Sequence, residues 1–373
     1  MPELSRAPVL VAAGGTGGHL FPAEALAAAL AKRGVSVHLV TDTRAQRYES
    51  AFSEHTIKAV HVVASATFAA RDPIGIVKTA SKLALGLFQA RALLASLKPA
   101  AVIGFGGYPT VPPVLAAAWG GIPSLIHDAN AVIGRANRFL APRVSAIATS
   151  FPDVFSQSPD LATKATLTGN PVRPAVVAAA ATPYPVPADP LRLLIFGGSQ
   201  GARVMADVVP AAISLLDQAL RARLSITQQA RQEDLSRVRD IYAKLPVSAE
   251  IAPFFADLPA RIAVSHLIVS RSGASTVAEL AAIGRPSILV PLPHALDQDQ
   301  FANAGVLERA GGAIRLVQED FTPRRLASEI AALAATSQNL AKMAGAAKSV
   351  GRLDAADRLA ELVLKVAAAG AKQ

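Results

Sequence analysis

Short unbroken apolar runs alternate along the chain with longer stretches whose apolar positions recur at helical spacing, and glycines stand at many of the joints. Runs of the first kind suit strands buried on both faces of a parallel sheet; the second kind read as the helices that cover it. The pattern predicts strands at residues 7–13, 35–41, 101–105, 122–127 and 146–150, then at 191–196, 224–228, 247–251, 267–270 and 287–292. It predicts helices at 21–33, 80–97, 111–119, 202–216, 274–283, about 299–309 and 353–368. Strand–helix–strand order of this kind implies parallel pairing, because only a crossover returns the chain to the same end of a sheet.

Between residues 174 and 190 the pattern lapses. Pro183, Pro185, Pro187 and Pro190 crowd an alanine-rich stretch that reads as an extended linker and a domain boundary. Beyond it the plan restarts, with strand, glycine loop and helix over 191–216 echoing residues 7–33. The expected fold is α/β: two doubly wound Rossmann-like domains, residues 1–173 and 191–352, facing each other across a cleft. A chain of 373 residues has the length for two such cores.

Three glycine-rich turns follow strands and precede helices: Gly14-Gly15-Thr16-Gly17-Gly18-His19, Gly106-Gly107-Tyr108-Pro109 and Gly197-Gly198-Ser199-Gln200-Gly201. Without side chains in the way, backbone N–H groups there can cradle an anion; the alternative is a tight strand-to-helix turn. The first loop is not the dinucleotide fingerprint. With Gly15 and Gly17 as its first two glycines, the third position falls on Leu20, which counts against a nicotinamide-dependent oxidoreductase.

The densest signal lies in residues 264–304. Arg271-Ser272-Gly273 breaks an apolar run, a helix follows, and Gly284 with Pro286 ends it. Ser272, Ser275 or Thr276, and Glu279 share one helical face. Hydroxyls and free N–H groups at its start suit a phosphate, and the carboxylate two turns on suits a pair of ribose hydroxyls. The alternative is a capping box of Thr276 and Glu279.

Residues 271–279 match, nearly letter for letter, the run RSGAxTVxE, and so resemble the donor site of GT-B glycosyltransferases. The resemblance is strongest to the bacterial MurG-type family, which adds GlcNAc to the lipid-linked peptidoglycan precursor. It extends over almost the whole chain: GGTGGH at 14–19, GxGGY at 104–108, HxxN at 127–130, GNPVR at 169–173 and GGSQGA at 197–202. The chain departs from the family at Asp128 and Ala129, where Glu and Gln are common, and at Asp299, where His or Gln is common.

The resemblance implies an inverting transferase that takes UDP-GlcNAc as donor and undecaprenyl-diphosphate-MurNAc-pentapeptide as acceptor. It implies donor contacts at Thr16, Gly17, Gly18, Asn130, Arg173, Ser199, Phe255, Ala274, Ser275, Thr276, Val277, Ala278, Glu279 and Gln300. Arg173 would fork onto the diphosphate, and Phe255 would hold uracil through its backbone. The acceptor diphosphate would meet Gly14, Gly15, Gly106, Gly107 and Tyr108. His19 is the first candidate for the general base, since an unperturbed imidazole titrates near neutral pH; otherwise it contacts the acceptor or caps its loop. Helix starts at Ser199 and Ser272, with Arg173, would stabilise the departing UDP, so neither metal nor cofactor is expected. Asp297-Gln298-Asp299 spells the D-x-D of a different glycosyltransferase fold, and is read here as helix-start acids within the donor loop. GT-B proteins often return a C-terminal helix to the first domain, and residues 353–373 are expected to do so.

Charge adds a second partner. The net charge is +10, divided as +7 over residues 1–173 (16 Lys and Arg against 9 Asp and Glu) and +3 over residues 174–373 (21 against 18). A basic first half suits an anionic partner, yet aromatic residues are only 5% of the chain and do not interleave with the basic ones, which argues against nucleic acid. Every charge from Pro73 to Lys98 is positive, and Ile74, Val77, Leu85 and Phe88 fall roughly on one helical face. Such a stretch suits a membrane interface, or else an ordinary core-packed helix with a solvated rim. In the family a basic, apolar patch on the first domain is the inferred membrane contact, and the resemblance implies that this stretch with Trp119 is its counterpart.

There is no cysteine, which excludes disulfides and thiolate metal sites. No apolar run reaches the roughly 18–20 residues that span a bilayer, and no leader is expected. The expected place is peripheral, on the cytoplasmic face of the inner membrane, with contacts to other cell-wall enzymes. Three rivals stand beside this reading. A UDP-GlcNAc epimerase would share fold and donor, but leaves the basic apolar stretch unexplained. The second is a non-catalytic UDP-sugar binder or a scaffold for cell-wall enzymes, against which His19 and Glu279 argue. The third, an oxidoreductase, has the loop spacing against it.

Overall fold

The structure is a computed structural model that describes residues 7–14, 17–43, 56–65, 73–186, 189–198, 201–293 and 298–371, the side chains of 73–76 excepted. Contacts divide the chain into two compact units, residues 1–173 with 353–373, and residues 174–352.

The first unit runs β1 (Val9–Ala12), α1 (Gly17–Ala31), β2 (Val37–Thr41), β3 (Ala59–Val62), α2 (Pro73–Leu97), β4 (Ala101–Gly104), α3 (Val111–Trp119), β5 (Ser124–Asp128), α4 (Arg135–Leu140), β6 (Ala146–Thr149), α5 (Pro159–Ala162) and β7 (Ala165–Leu167). All seven strands pair in parallel, in the order β3-β2-β1-β4-β5-β6-β7. β1, β4 and β6 are buried at every position, which is why they read as unbroken apolar runs. The strand order reverses between β1 and β4, and a crevice at such a reversal is where ligands of doubly wound sheets bind.

The last helix of the chain, Ala355–Gly370, belongs to this unit and packs against α1, β4 and β6. Leu359, Ala360, Val363 and Ala367 enter one core cluster with Val9, Val11, Leu26 and Ile103. Burying a side chain the size of Leu359 or Val363 stabilises by about 1.5–3 kcal/mol. At the rim Arg33 pairs with Asp357 at 2.8 Å. At the far end a Cβ on Gly370 would lie 2.1 Å from Pro123 Cγ, so only glycine fits.

The second unit runs α6 (Pro174–Ala180), β8 (Leu191–Phe196), α7 (Arg203–Leu215), α8 (Gln218–Ala222), β9 (Leu224–Gln229), α9 (Leu235–Tyr242), β10 (Ser248–Ala252), α10 (Leu258–Val264), β11 (Leu267–Ser270), α11 (Ala274–Ile283), β12 (Ser287–Leu289), α12 (Asp299–Ala310), β13 (Ala313–Arg315), α13 (Pro323–Ala334) and α14 (Ser337–Ser349). Its parallel sheet has the order β10-β9-β8-β11-β12-β13. This repeats the first six strands of the other unit, with β8 standing for β1 and β11 for β4. The echo of residues 7–33 in 191–216 is therefore an echo of topology.

Three helix ends in this unit converge on one side chain. Arg285, 1% exposed, donates to Ala263 O in the last turn of α10 (3.0 Å), to Ile283 O and Gly284 O at the end of α11 (2.7 and 3.0 Å), and to Thr182 O and Pro183 O past α6 (3.0 and 3.1 Å). Burial pulls the guanidinium down to about 10, still far above neutral pH, so it stays charged. Each helix presents the negative end of its dipole to that charge, which compensates a cation buried without a carboxylate.

Several boundaries differ from expectation. α1 starts at Gly17, so Gly17, Gly18 and His19 form its first turn instead of a loop before it. Pro22 therefore stands inside the helix, in its second turn, and leaves the Gly18 carbonyl without its i+4 donor. α2 starts at Pro73, a residue suited to a first helical position, and not at residue 80. Residues 174–190 are not extended throughout: α6 occupies the first seven, buries Val176, Ala179 and Ala180, and packs on α10 and α11. Pro187 lies outside the described residues. β12 stops at Leu289, although Val290 N–H still bonds Ser270 O at 2.8 Å.

Candidate active site

In the first unit the loops after the adjacent strands β1 and β4 meet. A Cβ added to Gly14 would lie 3.4 Å from Gly106 O and 3.6 Å from Gly107 Cα. Gly106 and Gly107 hold φ of +88° and +77°, the region that glycine alone enters without strain. The imidazole of His19 lies over this pair. A Cβ on Gly106 would be 3.2 Å from its Cε1, and one on Gly107 would be 3.5 Å from its Nε2. The structure thus brings together His19, Gly14, Gly106 and Gly107, with Tyr108 next in the chain. Gly18 opens on space with nothing within 4 Å of an added Cβ, which leaves the α1 N-terminus approachable. Gly15 and Thr16 lie outside the described residues.

The loop after β5 closes on the same place. Asp128, 2% exposed, accepts from Asn130 N (3.0 Å), Gly134 N (2.9 Å) and Asn137 Nδ2 (3.0 Å). Asn137 Nδ2 also donates to His127 O at 2.9 Å, and a Cβ on Gly106 would lie 3.5 Å from it. Asp128, where the family commonly has Glu, therefore organises the loop that carries Asn130. His127 is fully buried against the Phe105 ring and donates from Nε2 to Gly169 O at 3.1 Å, with Ser150 Oγ 3.3 Å from the same nitrogen. Burial pushes its pKa down to about 4; the bond to Gly169 opposes this, and the charge of His19 adds to it. His127 is thus neutral at neutral pH.

Arg173 does not stand out in solvent. Its Cζ lies 4.2 Å over the Phe21 ring, two residues beyond His19 on α1. Glu24, on the same helix, has its carboxyl raised by burial and lowered in part by Arg173. Asn137, His127 and Glu24 were not among the expected site residues. His127 leads the HxxN run, whose first residue was passed over for Asn130; nothing in local sequence marks Asn137 or Glu24, because each reaches the site through tertiary contact.

In the second unit the loops after β8 and β11 are likewise neighbours. A Cβ on Gly197 would lie 2.2 Å from Ala202 N, so no side chain fits. Gln229 accepts from Gly197 N at 3.0 Å and donates to Pro253 O at 3.2 Å, tying this loop to the one that carries Phe255. The Phe255 ring is buried with Arg261 Cζ 4.4 Å above it. Ser199 and Gln200 lie outside the described residues.

α11 begins after Gly273, whose φ and ψ are −59° and 151°, and no side chain caps it. Thr276 is therefore the third residue inside the helix and not its cap, which removes the capping-box alternative. The first N–H groups, at Ala274, Ser275 and Thr276, have no intrahelical partner and form an anion-receptive end. Ser275 Oγ is buried and makes no hydrogen bond among the described residues. Val277 and Glu279 are buried and Ala278 is half-buried, with Glu279 7% exposed.

Ser272 is committed elsewhere. Its Oγ donates to Gln300 O at 2.8 Å, and Gln300 Oε1 in turn accepts from Leu292 N at 3.0 Å. These bonds join the starts of α11 and α12 and place Gln300 beside the α11 N-terminus. Buried Arg271 donates to Val290 O and Pro291 O, at 3.1 and 2.9 Å, so it anchors the end of β12. Asp299 is in the first turn of α12 and accepts from Gln300 N at 2.7 Å; Asp297 lies outside the described residues. Among the described residues no three His, Cys, Asp or Glu side chains converge as a metal site.

Away from these loops, α2 shows an apolar outer face. Val77, Leu85 and Phe88 are exposed, Phe88 to 73%, and Trp119 on α3 to 60%. Lys78, Lys82 and Arg91 are exposed beside them, while Ala90 and Leu94 fill the core on the opposite face. The Ile74 side chain lies outside the described ones. No helix among the described residues is long and apolar enough to cross a membrane.

Comparison with known proteins bears on both units. Residues 9–149 match the glycosyltransferase family 28 N-terminal domain, and residues 192–359 match the family 28 C-terminal domain. The UDP-N-acetylglucosamine–N-acetylmuramyl-(pentapeptide) pyrophosphoryl-undecaprenol N-acetylglucosamine transferase of Rhodopseudomonas palustris (strain BisB18) is 63% identical over 98% of this chain and 97% of its own length. Among solved structures, MurG of Acinetobacter baumannii superposes with a TM-score of 0.76 at 30% identity, over 96% of this chain and 99% of that one. The UDP-GlcNAc 2-epimerase of Neisseria meningitidis gives a TM-score of 0.69 at 15% identity, over 96% of this chain and 100% of that one, a likeness of fold alone. Fold therefore does not separate transferase from epimerase, but sequence does: the chain belongs to glycosyltransferase family 28, with the MurG-type N-acetylglucosamine transferases.

Proposed function

We propose that the chain transfers N-acetylglucosamine from UDP-GlcNAc to the 4-hydroxyl of MurNAc in undecaprenyl-diphosphate-MurNAc-pentapeptide, with inversion at the anomeric carbon. The observation that carries this reading is the 63% identity, over 98% of the chain, to a transferase of that name. The packing of His19 over the glycine loops supports it with a place for the chemistry.

In this reading the acceptor diphosphate lies on the backbone of Gly14, Gly15, Gly106, Gly107 and Tyr108. The imidazole of His19 takes the proton of the 4-hydroxyl as its oxygen attacks C1 of the donor sugar. The bond from C1 to the diphosphate oxygen breaks, and UDP departs with the electron pair. The open N-terminus of α11, at Ala274, Ser275 and Thr276, and the guanidinium of Arg173 receive the charge that develops on the diphosphate. Val277 and Ala278 continue that surface, Glu279 holds the ribose hydroxyls, and Phe255 meets uracil through its backbone. Thr16, Gly17, Gly18, Asn130, Ser199 and Gln300 complete the donor contacts. The exposed apolar residues of α2 and Trp119, among lysines and Arg91, suit an anionic bilayer. They support peripheral attachment; in this reading the enzyme lies on the cytoplasmic face of the inner membrane, beside other cell-wall enzymes.

The test is a transfer assay with radiolabelled UDP-GlcNAc and a short-chain lipid-diphosphate-MurNAc-pentapeptide. Labelled disaccharide-lipid is the expected product. Donor binding without product, together with epimerisation of the donor alone, would replace this reading with that of an epimerase.

A further inference from the structure

The first unit contains a cavity of about 480 Å³ between α2, α3 and α4. That volume is within the range of small-molecule sites, roughly 300–1,000 Å³. Leu83, Leu87, Val111, Leu115 and Phe139 line it, and the wall is apolar except at Tyr108 and Arg135. A protein interior normally fills such a space with its own side chains. Gly86 brings α2 so close to Ala64 that an added Cβ would lie 1.9 Å from its carbonyl oxygen, and Ala64 N donates to Gln89 at 2.8 Å. That clamp ties the middle of α2 to the loop after β3, on the helix that forms one wall of the recess.

The polar lip of the cavity adjoins the glycine pair beneath His19, since Tyr108 directly follows Gly107. A molecule lying across this boundary would meet backbone N–H groups and one guanidinium, then an apolar recess. An isoprenoid diphosphate has that order of chemistry: a doubly charged head followed at once by branched hydrocarbon. A bilayer is a broad plane of headgroups over hydrocarbon, which suits the exposed face of Phe88 and Val77 with its lysines and not a recess.

We infer that this cavity takes the first isoprenoid units of the acceptor's lipid, so that the protein reads the tail as well as the sugar and diphosphate. The inference rests on the transferase reading above.

The experiment compares two acceptor analogues below their micelle concentrations, one with a single C5 unit on the diphosphate and one with a C15 chain. The wild-type chain is expected to favour the C15 acceptor by about tenfold or more in kcat/KM, since each buried carbon adds to binding. Ala84 lines the cavity from an exposed position on α2, so Ala84→Trp fills the mouth without entering the core. That variant is expected to lose the preference, with an unchanged unfolding transition of the first unit in calorimetry reporting that it is folded. A diazirine on the second isoprenoid unit, used with the wild-type chain, is expected to label residues 83–87 or 135–139. Equal use of both acceptors by the wild type would overturn the inference, and so would labelling elsewhere. A variant that keeps the C15 preference in solution but binds vesicles less well would make the recess a bilayer contact instead. No transfer to either acceptor would remove the transferase reading itself, and this assignment with it.

Discussion

Gly106 and Gly107 answer two demands at once: a backbone turned into the left-handed region, and the close approach of an imidazole. Gly106→Ala therefore meets a strained φ, costing about 1–2 kcal/mol, and a methyl 3.2 Å from the His19 ring. The expected result is a fall in turnover of roughly tenfold or more with little change in UDP-GlcNAc affinity, read from kcat and from calorimetry. A fall in donor affinity alone would place the loop on the donor and not on the acceptor. His127 makes a second prediction at this scale. Its folded pKa, about 4, is below the unfolded value near 6.5. Its contribution is intact above pH 6.5 and is lost as pH falls toward 4, because only the unfolded chain takes the proton there. The slope is about 1.4 kcal/mol per pH unit. His266, likewise lowered to about 4 by burial, titrates over the same window, so the test is a difference. Urea stability of His127→Gln measured from pH 7 to pH 4.5 should slope less than that of the wild type. The glycine turns at strand ends were legible in sequence, and the structure brings two of them together with His19. Asn137 and Glu24 were not, since a polar residue on a helix looks alike whether it faces water or a neighbouring loop.

At the scale of elements, helix ends carry much of the design. α11 leaves its N-terminus uncapped while Ser272 and Gln300 fix its position from the side, so its direction is set without occupying its free N–H groups. At the other end Arg285 holds the C-termini of α6, α10 and α11. Lysine keeps the charge but cannot fork to five carbonyls, so Arg285→Lys leaves buried acceptors without donors. The expected loss is about 2–4 kcal/mol in the unfolding transition of residues 174–352, measured by urea titration. An unchanged midpoint would mean that water replaces the missing donors. α6 shows why its segment was misread. Pro174 followed by Ala-Val-Val-Ala-Ala-Ala is itself a helix start, but the prolines from Pro183 onward dominated the composition of the whole stretch. α1 was begun too late for the opposite reason. Gly17 and Gly18 are poor helix formers, so propensity placed the start after them, although Gly17 is buried in the first turn.

Over the whole molecule, one topology is used twice, and the alternation of apolar runs with helical periods made both copies readable. The pairing order and the place where each sheet reverses were not in that pattern, because register depends on contacts between distant strands. The last helix gives a prediction at this scale. Without residues 353–373, Leu26, Val9 and Ile103 lose their cover, and the unfolding transition of the first unit should drop by several kcal/mol while that of residues 174–352 persists. Two transitions in calorimetry, only one of them shifted, would be the signature; an unshifted pair would show that the helix covers nothing essential.

The same helix sets an order on biosynthesis. A ribosome makes residues 1–173 first, yet their core lacks its final helix until residues 355–370 emerge. At about 5–20 residues per second the delay is roughly 10–40 s, long against most folding times. The unit translated first is thus the one completed last, and it holds an uncovered apolar stripe on the nascent chain while its younger neighbour has all its residues.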